Sequence, residues 1–202
     1  MARYLKYEIS EGDVGMLNGI LINKLDIENE SDLEDAETLL FKDTVEYYFI
    51  KVQEEDLVFD IALLYNMHEH FLSTLYEWAG KTRTVNFGKG GTLFAPIQHI
   101  ENSLSVTDDL IRDRSLSVND SIEEIAKNAA VIHNELNFLH PFRDGNGRTI
   151  RLFVNLMIWD QGYKEVDWDE NEGYLDACIA GISANHKPME EIIFAGLDLR
   201  EE

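Results

Sequence analysis

Apolar side chains recur every three or four residues over most of this chain, which is the spacing of one face of an α-helix. In the first long segment they stand at Leu33, Leu39, Leu40, Val45 and Tyr48, after a cap near Ser31. The same spacing, with glycines past helix ends and a capping-box sequence at 121–124, predicts the other helices. Helices are expected over residues 33–51, 56–78, 98–114, 146–160, 171–184 and 188–199. Another is expected to start at residue 121 and to end before the segment that begins at residue 140.

The segment between the second and third predicted helices has a different pattern. β-Branched and aromatic side chains favour strands on both sides of a glycine-rich turn at 88–91. We therefore predict a short β-hairpin over about residues 82–96. The chain as a whole is expected to adopt a mainly α fold with this one small hairpin.

Length and composition indicate a single folded domain. The 202 residues suffice for one domain with a sizeable core and are few for two. Apolar residues make up 45% of the chain, and with only three prolines and no low-complexity tract an intrinsically disordered protein is not expected. We predict one domain over residues 1–202, with its core at about 15–190.

Charge narrows the range of partners. The formal net charge is −22, so the field around the protein repels nucleic acids and anionic lipid surfaces. Cys178 is the only cysteine, which excludes an internal disulfide, and no apolar run reaches the ~20 residues of a membrane span. The expectation is a cytoplasmic protein without direct nucleic-acid or membrane binding, in which any nucleotide site must concentrate arginines.

Residues 140–151 carry such a concentration of chemistry. Gly145 and Gly147 flank the start of a predicted helix, where backbone N–H groups and the helix dipole favour a phosphate group. Arg148 and Arg151, three residues apart, are expected to project from one face of that helix and to bind phosphate. Together these residues predict a phosphate cradle with its own positive charge.

Two further groups in this segment suit catalysis. Asp144 stands at the helix entrance, where a carboxylate either caps the helix or holds Mg²⁺ against phosphates. His140 is able to accept a proton near neutral pH. Each residue alone also has a purely structural interpretation, as a cap, a hydrogen-bonded histidine or a solvated arginine. Their combination within twelve residues favours a nucleotide-processing site.

The segment also resembles the signature of the Fic family, His-x-Phe-x-Asp/Glu-Gly-Asn-Gly-Arg-x-x-Arg, at all eight specified positions. These positions are His140, Phe142, Asp144, Gly145, Asn146, Gly147, Arg148 and Arg151. Residues 23–27 are similar to the Asn-Lys-Leu-Gly-Ile element of bacterial Fic proteins, and residues 76–83 with 94–96 are similar to the family's flap region. The resemblance covers about residues 15–190.

The resemblance implies a protein adenylyltransferase, which moves AMP from ATP to a Tyr, Thr or Ser hydroxyl of a target protein. His140 is then the general base and Asp144 the Mg²⁺ ligand, while Phe142 anchors the loop in the core. The implied ATP phosphate ligands are Gly145, Asn146, Gly147, Arg148 and Arg151. The hairpin is the implied flap, which aligns the target by strand addition. Its target-binding residues would be Val85, Asn86, Phe87, Thr92, Leu93 and Phe94.

Regulation is a separate expectation. Many Fic enzymes carry an inhibitory helix with the sequence Ser/Thr-x-x-x-Glu-Gly/Asn, and no segment of this chain matches it convincingly. The resemblance therefore implies the toxin class, which is restrained by a small separate antitoxin whose glutamate would engage Arg151.

Four other interpretations agree less well with the sequence. A Doc-like protein kinase has Ala-Asn-Lys-Arg where this chain keeps Gly145 and Gly147, and an inactive nucleotide-binding scaffold would not need the complete signature. A P-loop kinase is excluded because no glycine loop is followed by Gly-Lys-Ser/Thr. His68 and His70 do not share a helix face, so a transition-metal site is not expected.

Overall fold

The computed structural model describes residues 8–9, 15–17, 19–54, 57–89, 92–168 and 171–200. These ranges contain seven α-helices and two small antiparallel sheets, so the predicted mainly α fold is confirmed. The helices are α1 (Glu30–Glu54), α2 (Ile61–Leu72), α3 (Ile100–Asp113), α4 (Ile122–Leu139), α5 (Asn146–Asp160), α6 (Tyr174–Ile182) and α7 (Lys187–Gly196). A single 3-10 turn, Ile97–His99, leads into α3.

Helices α4 and α5 form the centre of the fold. Helix α4 packs against α3, α5, α6 and α7, and α5 also packs against α1 and α2. Phe142, between α4 and α5, is fully buried together with Phe153 and Met67. The segment predicted to carry chemistry is therefore joined to the best-packed part of the protein. In the part of the chain described here, no helix has both the length and the apolar character that a membrane span requires.

Helix ends follow local chemistry. The predicted capping box is confirmed, since Glu124 N–H donates to Ser121 Oγ at 3.3 Å and Ser121 N–H to the Glu124 carboxylate at 3.0 Å. Helix α1 starts earlier than predicted because Asn29, rather than Ser31, accepts the N–H of Asp32. On the same helix, Leu39 was predicted to lie on the apolar side and is 70% exposed.

The second helix is shorter than predicted. The pattern gave 56–78, whereas α2 covers only Ile61–Leu72. Asp60 starts it by accepting the N–H of Leu63, so the residues before Asp60 lie outside the helix. After Leu72 the chain continues as turns, and Leu75 is buried from a turn instead of from the helix. Gly80, predicted to end the helix, instead adopts a φ of 67° in the last of these turns.

The predicted hairpin is confirmed as part of a slightly larger sheet. Its strands, which we call β4 (Phe87–Lys89) and β5 (Thr92–Leu93), pair antiparallel with Gly88 opposite Leu93. An unpredicted strand β1 (Glu8–Ile9) pairs with the other edge of β4, so the sheet order is β1-β4-β5. Strands β2 (Met16–Leu17) and β3 (Ile20–Leu21) form a separate hairpin. Gly90 and Gly91 of the predicted turn lie outside the described residues.

Candidate active site

The loop between α4 and α5 brings the predicted catalytic residues together. It starts at His140, which has a left-handed backbone with φ 45° and ψ 59°, and it ends at Gly145 with φ 80°. A left-handed conformation costs a non-glycine residue about 1–2 kcal/mol. The backbone of His140 is therefore held in place by its surroundings, whereas Gly145 adopts its conformation without that cost.

The His140 imidazole is buried and oriented from two sides. The side chain is 4% exposed, and the Phe94 ring stacks on it with 3.8 Å between centroids and 9° between planes. Nδ1 lies 3.2 Å from the carbonyl oxygen of Asn137. A carbonyl only accepts, so Nδ1 carries a proton, and in the neutral form of the ring the lone pair is then on Nε2. This tautomer is the one that a general base at Nε2 requires.

Gly145 and Gly147 differ in what surrounds them. A Cβ atom at Gly145 would lie 2.9 Å from Leu72 Cδ1 and 3.3 Å from His68 Nε2, so the helix start packs directly on α2. Among the residues that the structure describes, a Cβ at Gly147 would meet no atom beyond its own helical turn within 4 Å. Because the first N–H groups of a helix lack intrahelical partners, the space at Gly147 is suited to an anion.

The side chain of Asn146 is committed to the loop itself. Its Oδ1 accepts the N–H of Phe142 at 2.9 Å, and its Nδ2 donates to the carbonyl of Phe142 at 2.7 Å. The predicted phosphate contact of Asn146 is thus left to its backbone N–H in the first turn of α5. Its side chain shapes the turn that carries Phe142.

Arg148 is held by a buried carboxylate. Its Nη2 donates to Glu37 Oε2 at 2.6 Å, and the other carboxylate oxygen of Glu37 accepts the hydroxyl of Tyr76 at 2.6 Å. Glu37 is 1% exposed, and the Arg148 guanidinium also lies over the Phe71 ring at 4.7 Å. The guanidinium is therefore fixed in direction before any ligand binds.

Arg151 lies in different surroundings from Arg148. Its guanidinium is 5.5 Å from the centroid of the Tyr174 ring, and the residue lines a cavity of about 1300 Å³. Lys164 and Arg200 line the same cavity. Arg148 and Arg151 start from neighbouring positions on α5, but their side chains contact different elements. Arg148 contacts α1 and α2, whereas Arg151 contacts α6.

Asp144 lies at the entrance to α5 and is partly exposed. Its Oδ1 accepts the N–H of Gly145 at 2.6 Å. Within the described ranges no three His, Cys, Asp or Glu side chains cluster as a metal site. A single carboxylate beside a helix start is compatible with Mg²⁺, which takes one or two protein carboxylates together with substrate phosphates.

His68 is a buried residue that braces this loop. Gly80 N–H donates to its Nδ1 at 2.9 Å, so Nε2 carries the proton and donates to the carbonyl of Asp144 at 2.9 Å. The ring stacks on Phe142 with 3.7 Å between centroids. Burial lowers the pKa of His68 to about 4, which keeps the ring neutral.

The flap residues divide into an exposed and a buried group. Leu93 is 71% exposed, and Asn86 is exposed with its Oδ1 accepting the N–H of Ile97 at 2.9 Å. Val85 lies before β4, partly buried. Phe94, expected to touch the target, is buried against His140. The side chains of Phe87 and Thr92 lie outside what the structure describes, although their backbones belong to β4 and β5.

Sequence analysis missed two residues of this site. Glu37 follows Leu33 by one helical turn, so a charged residue on the apolar stripe of α1 was the available signal. For His68, nothing in the local pattern reveals that its partner is the backbone of Asp144, 76 residues away.

The chain is similar in sequence to proteins of a known family. The profile of the Fic/DOC family matches residues 58–158. "Probable protein adenylyltransferase y4lH" of Sinorhizobium fredii is 33% identical over 173 residues, which are 84% of this chain and 87% of the relative. Protein adenylyltransferase VbhT of Bartonella schoenbuchensis is 34% identical over 185 residues, 87% of this chain and 36% of the relative. The chain thus spans about a third of VbhT.

Solved structures show the same fold. The BepC protein of Bartonella tribocorum, determined with bound AMPPNP, superposes with a TM-score of 0.74 at 25% identity and covers 90% of this chain and 93% of its own. The N-terminal FIC domain of Bep8 from Bartonella sp. 1-1C gives a TM-score of 0.76 at 25% identity, covering 89% and 91%. With its signature intact and the family profile matched across α2 to α5, the chain belongs to the Fic/DOC family.

Proposed function

We propose that this Fic protein is a protein adenylyltransferase, which transfers AMP from ATP to a hydroxyl group of another protein. The observation that carries the proposal is the hydrogen bond from His140 Nδ1 to Asn137 O, which orients the imidazole at the start of the loop that ends at Gly145, the residue before α5. Relatives named protein adenylyltransferases and a solved Fic protein with bound AMPPNP support the same activity.

In the proposed reaction, His140 Nε2 accepts the proton of a Tyr, Thr or Ser hydroxyl. The hydroxyl oxygen then bonds to the α-phosphorus of ATP, the bond from that phosphorus to the bridging oxygen breaks, and pyrophosphate leaves. The backbone at Gly145 and Gly147 binds the phosphates, with Arg148 at the β-phosphate and Arg151 at the γ-phosphate. Stabilisation by positioned charge is the larger part of phosphoryl-group catalysis.

Asp144 is the proposed Mg²⁺ ligand. A Mg²⁺ held by Asp144 would neutralise part of the charge of the ATP phosphates. Asp144→Asn keeps the size of the side chain and removes its charge. We expect this variant to need at least about tenfold more Mg²⁺ for half-maximal transfer, the scale of a lost ion-pair interaction. An unchanged Mg²⁺ dependence contradicts the assignment.

The activity is tested with ATP labelled at the α- or at the γ-phosphate, with Mg²⁺ and a bacterial lysate. Label from the α-phosphate alone is the expected result. A positioned base contributes about 10²–10⁴ in rate, so His140→Ala should lower transfer by that factor and leave ATP binding in place. Normal transfer by this variant would refute the role of His140.

The same experiment decides between AMP transfer and the Doc-like alternative. A kinase transfers label only from the γ-phosphate, whereas an inactive scaffold binds ATP and transfers neither label. Gly147, with its open surroundings, favours AMP transfer because the Doc sequence has a lysine at this position.

We further propose that the target binds to the β5 edge of the flap. Strand addition needs an edge with unpaired main-chain groups. Strand β1 already pairs with the outer edge of β4, and in the described sheet β5 is the edge opposite it. Leu93, the exposed residue of β5, is suited to contact the target. Leu93→Lys should then raise the KM for the target protein and leave the KM for ATP unchanged.

A small antitoxin is the proposed regulatory partner. The cavity beside Arg151 is also lined by Lys164 and Arg200, so that three cationic residues face two acidic ones, Glu165 and Asp167, in a protein of net charge −22. Part of its apolar wall comes from α1, through Phe41, Val45 and Phe49. An amphipathic helix with a glutamate on its apolar side would match both features, and it would place that glutamate at Arg151 in the way of a γ-phosphate.

The partner is tested by co-expressing small proteins encoded beside this gene and following transfer activity. The antitoxin should co-purify and abolish transfer, and replacing its motif glutamate by glutamine should restore activity without releasing the complex. Full activity in the presence of every such protein would contradict the proposal.

A further inference from the structure

Arg83 is a buried cation that joins the flap to the loop of the base. It is 3% exposed, and burial lowers its pKa only to about 10, so it remains charged at neutral pH. Its Nε donates to the carbonyl of His140 at 2.7 Å and its Nη1 to that of Val85 at 2.7 Å. Its Nη2 donates to the carbonyl of Ala95, and the carbonyl of Leu139 lies 3.5 Å from the same nitrogen.

These acceptors come from two structural units. Leu139 and His140 end helix α4, where carbonyl groups lack intrahelical partners and the helix dipole attracts a cation. Val85 lies two residues before β4, and Ala95 lies two residues after β5. Main-chain hydrogen bonds also join these two units. The N–H of Arg83 donates to Pro141 O at 2.8 Å, and the N–H of Ala95 donates to Phe138 O at 3.0 Å.

The geometry of a guanidinium is needed for this arrangement. It presents five N–H donors in a rigid plane, whereas a lysine ammonium presents three donors from one point. Only the planar group reaches His140 O, Val85 O and Ala95 O simultaneously. Because Phe94, next to Ala95, stacks on the His140 ring, Arg83 fixes both the backbone of the base and the aromatic residue that orients its imidazole.

We propose that Arg83 is a positioning residue that holds the target-binding flap and His140 in one rigid frame. It acts through His140 and Ala95 and does not contact substrate. The proposal rests on the AMP-transfer function and deepens it, since a target aligned on the flap gains in rate only if His140 Nε2 keeps a fixed position relative to that strand. Reacting groups misplaced by about 1 Å lose about 10²-fold in rate.

The test compares Arg83→Lys with Arg112→Lys, a matched control on α3 whose side chain is 59% exposed. For Arg83→Lys we expect kcat for AMP transfer to fall about 100-fold while the KM for ATP stays within about twofold, because other residues hold the phosphate cradle. Arg112→Lys should behave as the unchanged protein. A kcat for Arg83→Lys within about threefold of the unchanged protein would overturn the proposal.

A readout that does not need activity separates this proposal from the function itself. In Arg83→Lys, the NMR signals of the His140 imidazole should shift and the amide of Ala95 should exchange faster. Amides of α5 beyond its first turn should keep their protection. Faster exchange throughout the protein would show a merely structural role and overturn the proposal. Absence of AMP transfer by the unchanged protein would refute the function, and the NMR result would still decide on Arg83.

Discussion

Gly147→Ala separates the stability of this protein from its nucleotide binding. Gly147 lies in the first turn of α5, and an added Cβ there meets no atom of the described residues beyond its own turn within 4 Å. The substitution therefore introduces no clash with the described part of the fold. It does place a methyl group in the space that we assign to the phosphates of ATP.

The expected change in stability is a small gain. Alanine in a helix is favoured over glycine by about 0.5–1 kcal/mol, and a first-turn position gives at most that amount. A change of 1 kcal/mol moves Tm by about 2–4 °C in a protein of this size, so Tm should stay equal or rise by that amount. Gly145→Ala is the matched opposite case, since a φ of 80° costs alanine about 1–2 kcal/mol and Leu72 Cδ1 would lie 2.9 Å away.

The two variants are compared by thermal unfolding and by calorimetric titration with a non-hydrolysable ATP analogue. Gly147→Ala should keep or raise Tm and bind the analogue at least about tenfold more weakly, which corresponds to 1.4 kcal/mol. Gly145→Ala should lower Tm. If Gly147→Ala binds the analogue as tightly as the unchanged protein, the phosphates do not lie against Gly147, and the proposed cradle is wrong.

Glu37→Gln removes the charge of a buried carboxylate and leaves Arg148 without its counterion. The free energy of unfolding, measured with urea, should therefore fall by about 3–5 kcal/mol. Glu34→Gln, at an exposed position of the same helix, is the control and should change the free energy of unfolding little. Equal effects of the two variants would contradict a stabilising ion pair between Glu37 and Arg148. Burial lowers the pKa of His68 and of His133 to about 4, below the value near 6.5 of an unfolded histidine. The unfolded chain therefore binds more protons, and stability should fall as the pH drops from about 6.5 towards 4, by up to about 1.4 kcal/mol per pH unit for each histidine. His68→Asn should make this pH dependence shallower in urea unfolding from pH 6.5 to 5, and an unchanged slope would contradict the assignment.

The parts of the fold that the sequence predicts are those determined by neighbouring residues. Helix α5 has the predicted bounds, 146–160, because glycines at its start and an apolar stripe along it act locally. The capping box of α4 is confirmed for the same reason. Family recognition from residues 140–151 likewise depends on one continuous segment.

The parts that the sequence does not predict depend on contacts between distant residues. Tyr76 lies between two turns after α2, and its hydroxyl donates to Glu37, 39 residues earlier, which no local helical pattern predicts. Strand β1 forms only because β4 offers it an edge. The predicted helix extends beyond Leu72 because Leu75 has the spacing of the apolar stripe. In the structure Leu75 is buried, but it lies in a turn.

Three residues from outside the signature hold three of its residues in position. The signature segment alone is therefore not sufficient to form the site. His68 holds the carbonyl of Asp144, Glu37 holds the Arg148 guanidinium, and Arg83 holds the carbonyl of His140. Each bond crosses from the signature to a residue at least 57 positions away in sequence, so it forms only in the complete fold. Groups that are oriented before the substrate arrives need no reorganisation during the reaction, which is the main source of electrostatic catalysis. Loss of a brace should therefore lower kcat even where every signature residue remains in place.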